Sequence, residues 1–156
     1  MKKLLIILAA LTATLTMIVK PAAAEFGQSN IGGSVIFGNN GGSTFGVDAR
    51  FPVSDNFSIR PNVYFPNNGN TTIGVAATYD FNLNSYYSKS PLTPYVGAGV
   101  RFATGNNIGN NNAAGYATGG LDYNLTDNLI LKGNVNIPFD SNNFSTTFGV
   151  GAGLRF

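Results

Sequence analysis

The sequence predicts an all-β fold, an eight-stranded antiparallel up-and-down transmembrane β-barrel. Three observations carry this expectation. Apolar residues recur at every second position through most of the chain, which is the period of a strand and not of a helix. Clusters of Asn, Gly, Ser and Asp interrupt the alternation at intervals, as turns do. Charged residues make up only 10 % of the chain, against roughly 25 % in an ordinary soluble domain. A surface so poor in charge is expected to be covered in part by something other than water.

The elements follow in order. In the first strand Ile31, Val35 and Phe37 oppose Gly32 and Ser34. In the second, Phe45, Val47, Ala49, Phe51 and Val53 oppose Asp48 and Arg50. The third sets Phe57, Ile59, Val63 and Phe65 against Ser58, Arg60, Asn62 and Tyr64, and the fourth sets Ile73, Val75, Ala77, Tyr79, Phe81 and Leu83 against Thr78, Asp80 and Asn82. In the fifth, Val96, Ala98, Val100 and Phe102 oppose Tyr95, Gly97, Gly99 and Arg101. In the sixth, Ala117, Leu121, Tyr123 and Leu125 oppose Tyr116, Thr118, Asp122 and Asn124. The seventh opposes Leu129, Leu131, Val135, Ile137 and Phe139 to Lys132, Asn134 and Asn136. The eighth is the most regular: Phe144, Thr146, Phe148, Val150, Ala152, Leu154 and Phe156 share one face, and glycines with Arg155 fill much of the other. Strand lengths are close to the roughly 9 to 11 residues that a tilted strand needs to cross a bilayer.

Alternation does not say which face meets the core, since a soluble barrel turns its apolar face inward. Three features favour the inverted arrangement. The strand charges Asp48, Arg50, Arg60, Asp80, Arg101, Asp122, Lys132 and Arg155 all fall on the polar face. They are too few to solvate an outer surface but suit a network of pairs inside a narrow lumen. The polar face of the fifth and eighth strands is mostly glycine, which suits a crowded interior. Running the strands up and down also puts Phe51, Phe57, Tyr79, Phe81, Tyr123 and Phe156 near one edge and Phe37, Phe45, Phe65, Phe102, Phe139 and Phe144 near the other. Two aromatic girdles are what a lipid-facing band carries.

Two connections are tight, Ser54-Asp55-Asn56 and Thr126-Asp127-Asn128, and their surroundings repeat: Val53-Ser54-Asp55-Asn56-Phe57 matches Leu125-Thr126-Asp127-Asn128-Leu129. The third connection on that side is longer, about Asn84 to Leu92, with Tyr86, Tyr87 and Lys89, and the four loops on the other side are short and rich in Asn and Gly. Residues 1–24 read as a cleaved signal peptide, with Lys2 and Lys3 ahead of an apolar run from Leu4 to Val19, Pro21 as a helix breaker, and Ala22-Ala23-Ala24 before Glu25. Residues 25–156 then form a single barrel domain. Removal of Lys2, Lys3 and Lys20 leaves six basic and seven acidic residues, so the basic balance belongs to the targeting segment and gives no reason to expect nucleic-acid binding.

The signal segment, the eight amphipathic strands, the Ser-Asp-Asn and Thr-Asp-Asn turns and the final Gly-Val-Gly-Ala-Gly-Leu-Arg-Phe together resemble the small outer-membrane β-barrel family. That family includes the transmembrane domain of outer-membrane protein A and the opacity-type surface proteins. The resemblance implies location in the outer membrane of a diderm, Gram-negative-type bacterium, contact with outer-membrane lipid, and recognition of Phe156 by the barrel-assembly machinery. The chain is expected to lack the peptidoglycan-binding domain that some members append, and its loops are shorter than those of the adhesive members, which argues against an adhesive role.

No catalytic constellation is visible. Histidine and cysteine are absent, which removes the usual nucleophile and base pairings, and no enzyme activity, cofactor or metal is expected. The eight strand charges sum to five basic and three acidic. They are read as an ion-paired plug in a monomeric protein with a structural or surface role. The alternatives are a narrow channel for ions or small solutes, and a soluble periplasmic barrel binding an apolar ligand.

Overall fold

The computed structural model describes residues 28–38, 42–66, 71–83, 90–104, 113–140 and 144–156. The proposed signal peptide and the tips of the four Asn/Gly-rich loops, with the centre of the 84–92 connection, lie outside the described residues. Eight strands form: β1 (Asn30–Gly38), β2 (Ser43–Pro52), β3 (Phe57–Phe65), β4 (Thr71–Asp80), β5 (Leu92–Thr104), β6 (Ala113–Asn124), β7 (Leu129–Pro138) and β8 (Thr147–Arg155). Each pairs antiparallel with its sequence neighbour, and β1 pairs with β8 to close the barrel. Closure leaves no free edge, which the absence of water in a bilayer demands of any sheet that spans it.

The tight turns work as the repeat implies. Val53 and Ser54 donate their N–H groups to the Phe57 carbonyl at 2.8 and 3.2 Å, and Leu125 and Thr126 donate to the Leu129 carbonyl at 2.9 and 3.1 Å. In each turn a hydroxyl at the same position accepts the returning strand's first N–H: Ser54 from Phe57 at 3.2 Å and Thr126 from Leu129 at 3.0 Å. The two turns define the lower edge of the barrel. The Asn carbonyl of each also ties down the end of the next strand, Asn56 accepting from Asp80 at 2.7 Å and Asn128 from Arg155 at 2.9 Å.

The faces are inverted relative to a soluble protein. Phe148, Val150 and Leu154 on β8 are 54 %, 57 % and 61 % exposed, while Asp80, Asp122, Ser58 and Thr78 are nearly inaccessible. Apolar side chains therefore form the outside and polar ones the core, the opposite of a soluble barrel holding an apolar ligand.

Three details differ from expectation. The last strand begins at Thr147 and not at Phe144, because the Phe144 ring turns to the Arg101 guanidinium, 4.4 Å from its centroid, instead of joining the outer face. The fourth strand stops at Asp80, so Phe81 and Leu83 lie beyond it, as Val53, Leu125 and Phe139 lie just past the ends of β2, β6 and β7. Ile36 and Ile130 point inward and are buried. Each sits inside an unbroken apolar run, Val35-Ile36-Phe37 and Leu129-Ile130-Leu131, where alternation assigns no face.

Candidate functional site: the lumen charge network

The inner wall is built from alternate positions of all eight strands, and its chemistry is concentrated in the lower half. Asp80, at the end of β4, is the hub. Arg50 on β2 reaches it at 2.8 Å, and Arg60 on β3 reaches its other oxygen at 3.2 Å. Ser58 donates a hydrogen bond to the same carboxylate, and Thr78 does so at 3.1 Å. The guanidinium of Arg60 spans further. Its Nη2 lies 2.9 Å from Asp122 on β6, its Nε donates to Thr78 Oγ1 at 3.1 Å, and its plane stacks 3.6 Å from the Tyr95 ring on β5. One side chain thus holds together β3, β4, β5 and β6.

A second pair crosses elsewhere. Lys132 on β7 binds Asp48 on β2, and Ser34 on β1 donates to the same carboxylate. Asn62 on β3 donates to the Tyr116 hydroxyl on β6 at 3.2 Å. Ser34 to Asp48 joins the ladder partners β1 and β2, and the links from Ser58 and Arg60 to Asp80 join the ladder partners β3 and β4, but Arg50–Asp80, Arg60–Asp122, Lys132–Asp48 and Asn62–Tyr116 join strands that no ladder pairs. The network therefore fixes distances across the lumen that backbone bonds leave free.

The structure brings six of the eight charges into pairs. Arg101 and Arg155 have no ion pair among the described residues. Arg101 is buried near the upper edge, between the rings of Tyr116 and Phe144, and donates to the Ser145 carbonyl at 3.4 Å. Arg155 lies half-buried at the lower edge, opposite Asn30.

The glycines are slots for neighbouring polar side chains. A Cβ on Gly46 would stand 2.3 Å from the Tyr64 ring, on Gly149 2.2 Å from Asn134 Oδ1, and on Gly120 2.6 Å from the Tyr95 hydroxyl. A cavity of about 40 Å³ lies in the lumen, walled in part by Asp48, Arg60, Tyr64, Tyr95 and Lys132. At about 10 to 15 Å³ per water, it has room for roughly three water molecules. Among the described residues no three His, Cys, Asp or Glu side chains cluster as metal ligands.

The aromatic residues assigned to the lower edge are placed as follows. Phe57 packs edge-to-face on Tyr79 at 5.2 Å and Tyr79 on Phe81 at 5.1 Å. Phe51 pairs with Ile59 and Tyr123 with Leu131 at the same end, and Phe156 donates its N–H to the Ser29 carbonyl at 3.0 Å. Sequence reading missed Tyr95 as the surface on which Arg60 rests. Its signal was its position on the polar face of β5, two residues before the first glycine of that wall.

No family model matches the chain, and no curated protein is similar to it in sequence. Solved structures match it in fold. A de novo designed transmembrane β-barrel superposes with a TM-score of 0.68 at 17 % identity, over 85 % of this chain and 98 % of the other. The N-terminal β-barrel domain of Pseudomonas aeruginosa OprF gives 0.66 at 18 %, over 84 % and 98 %. The outer membrane enzyme PagL gives 0.54 at 9 %, over 81 % and 98 %. The fold is that of the small eight-stranded transmembrane barrels. That barrel serves a designed scaffold, a domain of a bacterial protein and an enzyme alike, so the role must be argued from this lumen.

Proposed function

We propose that this chain is an integral outer-membrane barrel of a diderm bacterium. In this reading residues 1–24 direct its export and are removed, and residues 25–156 serve a structural or surface role as a monomer without catalysis. The observation that carries the non-conducting part is the Arg60 fork, which ties Asp80 to Asp122 across the lumen above the Tyr95 ring. Eight strands enclose only about enough width for their own side chains, and the glycine slots are filled by neighbouring polar ones. The lower aromatic edge of Phe51, Phe57, Phe81, Tyr123 and Phe156 would sit at the periplasmic interface, with Phe156 read by the assembly machinery during insertion.

Two measurements test this. Native protein should be recovered in the outer-membrane fraction and should show heat-dependent gel mobility. Recovery in the soluble fraction would sink the membrane reading. Purified protein in planar bilayers should show no stable conductance, whereas reproducible unitary currents altered by Arg101→Ala would favour a narrow channel.

A further inference from the structure

Arg101 and Ser145 meet across the upper mouth of the barrel. Arg101 Nη2 donates to the Ser145 carbonyl at 3.4 Å, and the Phe144 ring centroid lies 4.4 Å from the same guanidinium. On the other side, a Cβ on Gly38 of β1 would stand 3.7 Å from the Ser145 hydroxyl. The segment of residues 144–146, which leads into β8 without pairing as strand, thus leans on β1 while Arg101 reaches it from β5. Those two strands stand opposite each other in the ring of eight. Segment and side chain together span the mouth from wall to wall.

Neither partner sits there without cost. Alternation assigns Phe144 to the apolar outside, and turning it inward gives up that contact. Arg101 is 5 % exposed, has no ion pair among the described residues, and its Nε has no hydrogen-bond partner. A buried cation without a carboxylate is unfavourable. The rings of Phe144 and Tyr116 offset part of that, since a cation–π contact is stronger when desolvated. Each of Arg101 and Phe144 supplies what the other's placement lacks.

The lumen cavity lies beneath. Tyr116, whose ring centroid is 5.6 Å from the Arg101 guanidinium, is also a wall residue of that cavity, and so is Thr118, two positions further down β6. The Tyr116 hydroxyl accepts from Asn62 on β3 at 3.2 Å. The contact across the mouth is therefore continuous with the wall below it.

We propose that residues 144–146 form a strap over the upper mouth, latched by Arg101, and that this latch limits entry of small solutes from the loop side into the lumen cavity. The latch is separate from the Arg60 fork, which lies nearer the other end, and opening it leaves that fork in place. The inference rests on Arg101, Phe144 and Ser145 and not on the membrane-spanning reading. It is tested in detergent-solubilised protein whose heat-dependent gel mobility shows a folded barrel.

The chain has no cysteine, so a single introduced thiol is the only reactive one. Thr118→Cys reports on the cavity wall. Ile130→Cys, buried near the lower end of β7, reports on general loosening. Each is treated with a small neutral thiosulfonate, so that loss of the Arg101 charge does not itself change the reagent's approach. Phe144→Ala and Arg101→Gln should each speed labelling of Thr118→Cys by about tenfold, the change expected when a desolvated cation–π contact is lost. Neither should alter labelling of Ile130→Cys. Phe144→Tyr, which keeps the ring, should hold Thr118→Cys at the parent rate. Phe144 lies outside the strands, so if Arg101→Gln fails to fold, Phe144→Ala decides. Labelling of Thr118→Cys at the parent rate in Phe144→Ala, or equal acceleration at Ile130→Cys, would overturn the latch.

Discussion

Arg60 on β3 reaches Asp122 on β6 across the lumen at 2.9 Å, and no backbone ladder joins those two strands. The same guanidinium also holds Asp80. Removing it leaves Asp122, 1 % exposed, without its ion pair, while Asp80 keeps Arg50. Breaking a buried pair in this way costs about 3 to 5 kcal/mol. Arg60→Ala should therefore lower barrel stability by about that amount in urea titrations in lipid vesicles, read by heat-dependent gel mobility. Asp122→Asn should cost less, about 1 to 3 kcal/mol, because Arg60 keeps Asp80. Equal losses for the two variants would contradict a shared fork.

The inner glycines should differ sharply from outer ones. A Cβ on Gly97 would meet the Ala77 carbonyl oxygen at 2.1 Å and the Thr78 Cα at 2.8 Å, and backbone cannot move aside. Gly97→Ala should destabilise by about 1 to 3 kcal/mol, as overpacking does. Gly133, on the outer face of β7, has nothing within 4 Å of the same position. Gly133→Ala should raise stability by about 0.5 to 1 kcal/mol by removing chain entropy from the unfolded state. Parallel urea midpoints of the two variants test the pair.

How far these features could be read from the sequence depends on what each needs. The eight strands and the sidedness of the charges follow from a period of two, which is local. Asp48, Arg50, Arg60, Asp80, Asp122 and Lys132 were all assignable to the inner face on that basis. Their pairing was not, because Lys132 and Asp48 are 84 residues apart, and which side chains meet depends on the stagger of strands around the closed ring. Phe144 shows the limit from the other side. Its position in the alternation assigned it to lipid, but a cation with no acidic partner among the described residues, Arg101, draws it inward.

The turn hydroxyls should contribute independently of the lumen. Thr126 Oγ1 accepts from Leu129 N at 3.0 Å and from Asn128 N at 3.3 Å, whereas Ser54 Oγ accepts from Phe57 N at 3.2 Å. Thr126→Ala should cost about 1 kcal/mol, the usual net worth of such a bond, and Ser54→Ala no more than that. The two turns lie in separate hairpins with no shared partner, so their effects should add to within about 0.5 kcal/mol in the double variant. A clear excess in the double variant would show that the two halves of the lower edge are coupled through the Asp80 network.

The outer face supplies the sharpest test of depth. Val150 on β8 pairs with Val35 on one side and Gly133 on the other, which puts it midway along all three strands, and it is 57 % exposed. Phe139 stands just past the end of β7 at the upper edge and is the most exposed of the large apolar residues described. A charge at the bilayer midplane on a barrel costs about 2 to 4 kcal/mol, falling to about 0 to 1 near the interface. Val150→Arg should therefore lose several times more stability than Phe139→Arg in vesicles. In a detergent of short chain length, where no defined midplane exists, the gap between them should shrink. A soluble barrel would give the opposite signature. There both positions face water, Arg is welcome at each, and neither variant would fall far below the parent protein in any medium.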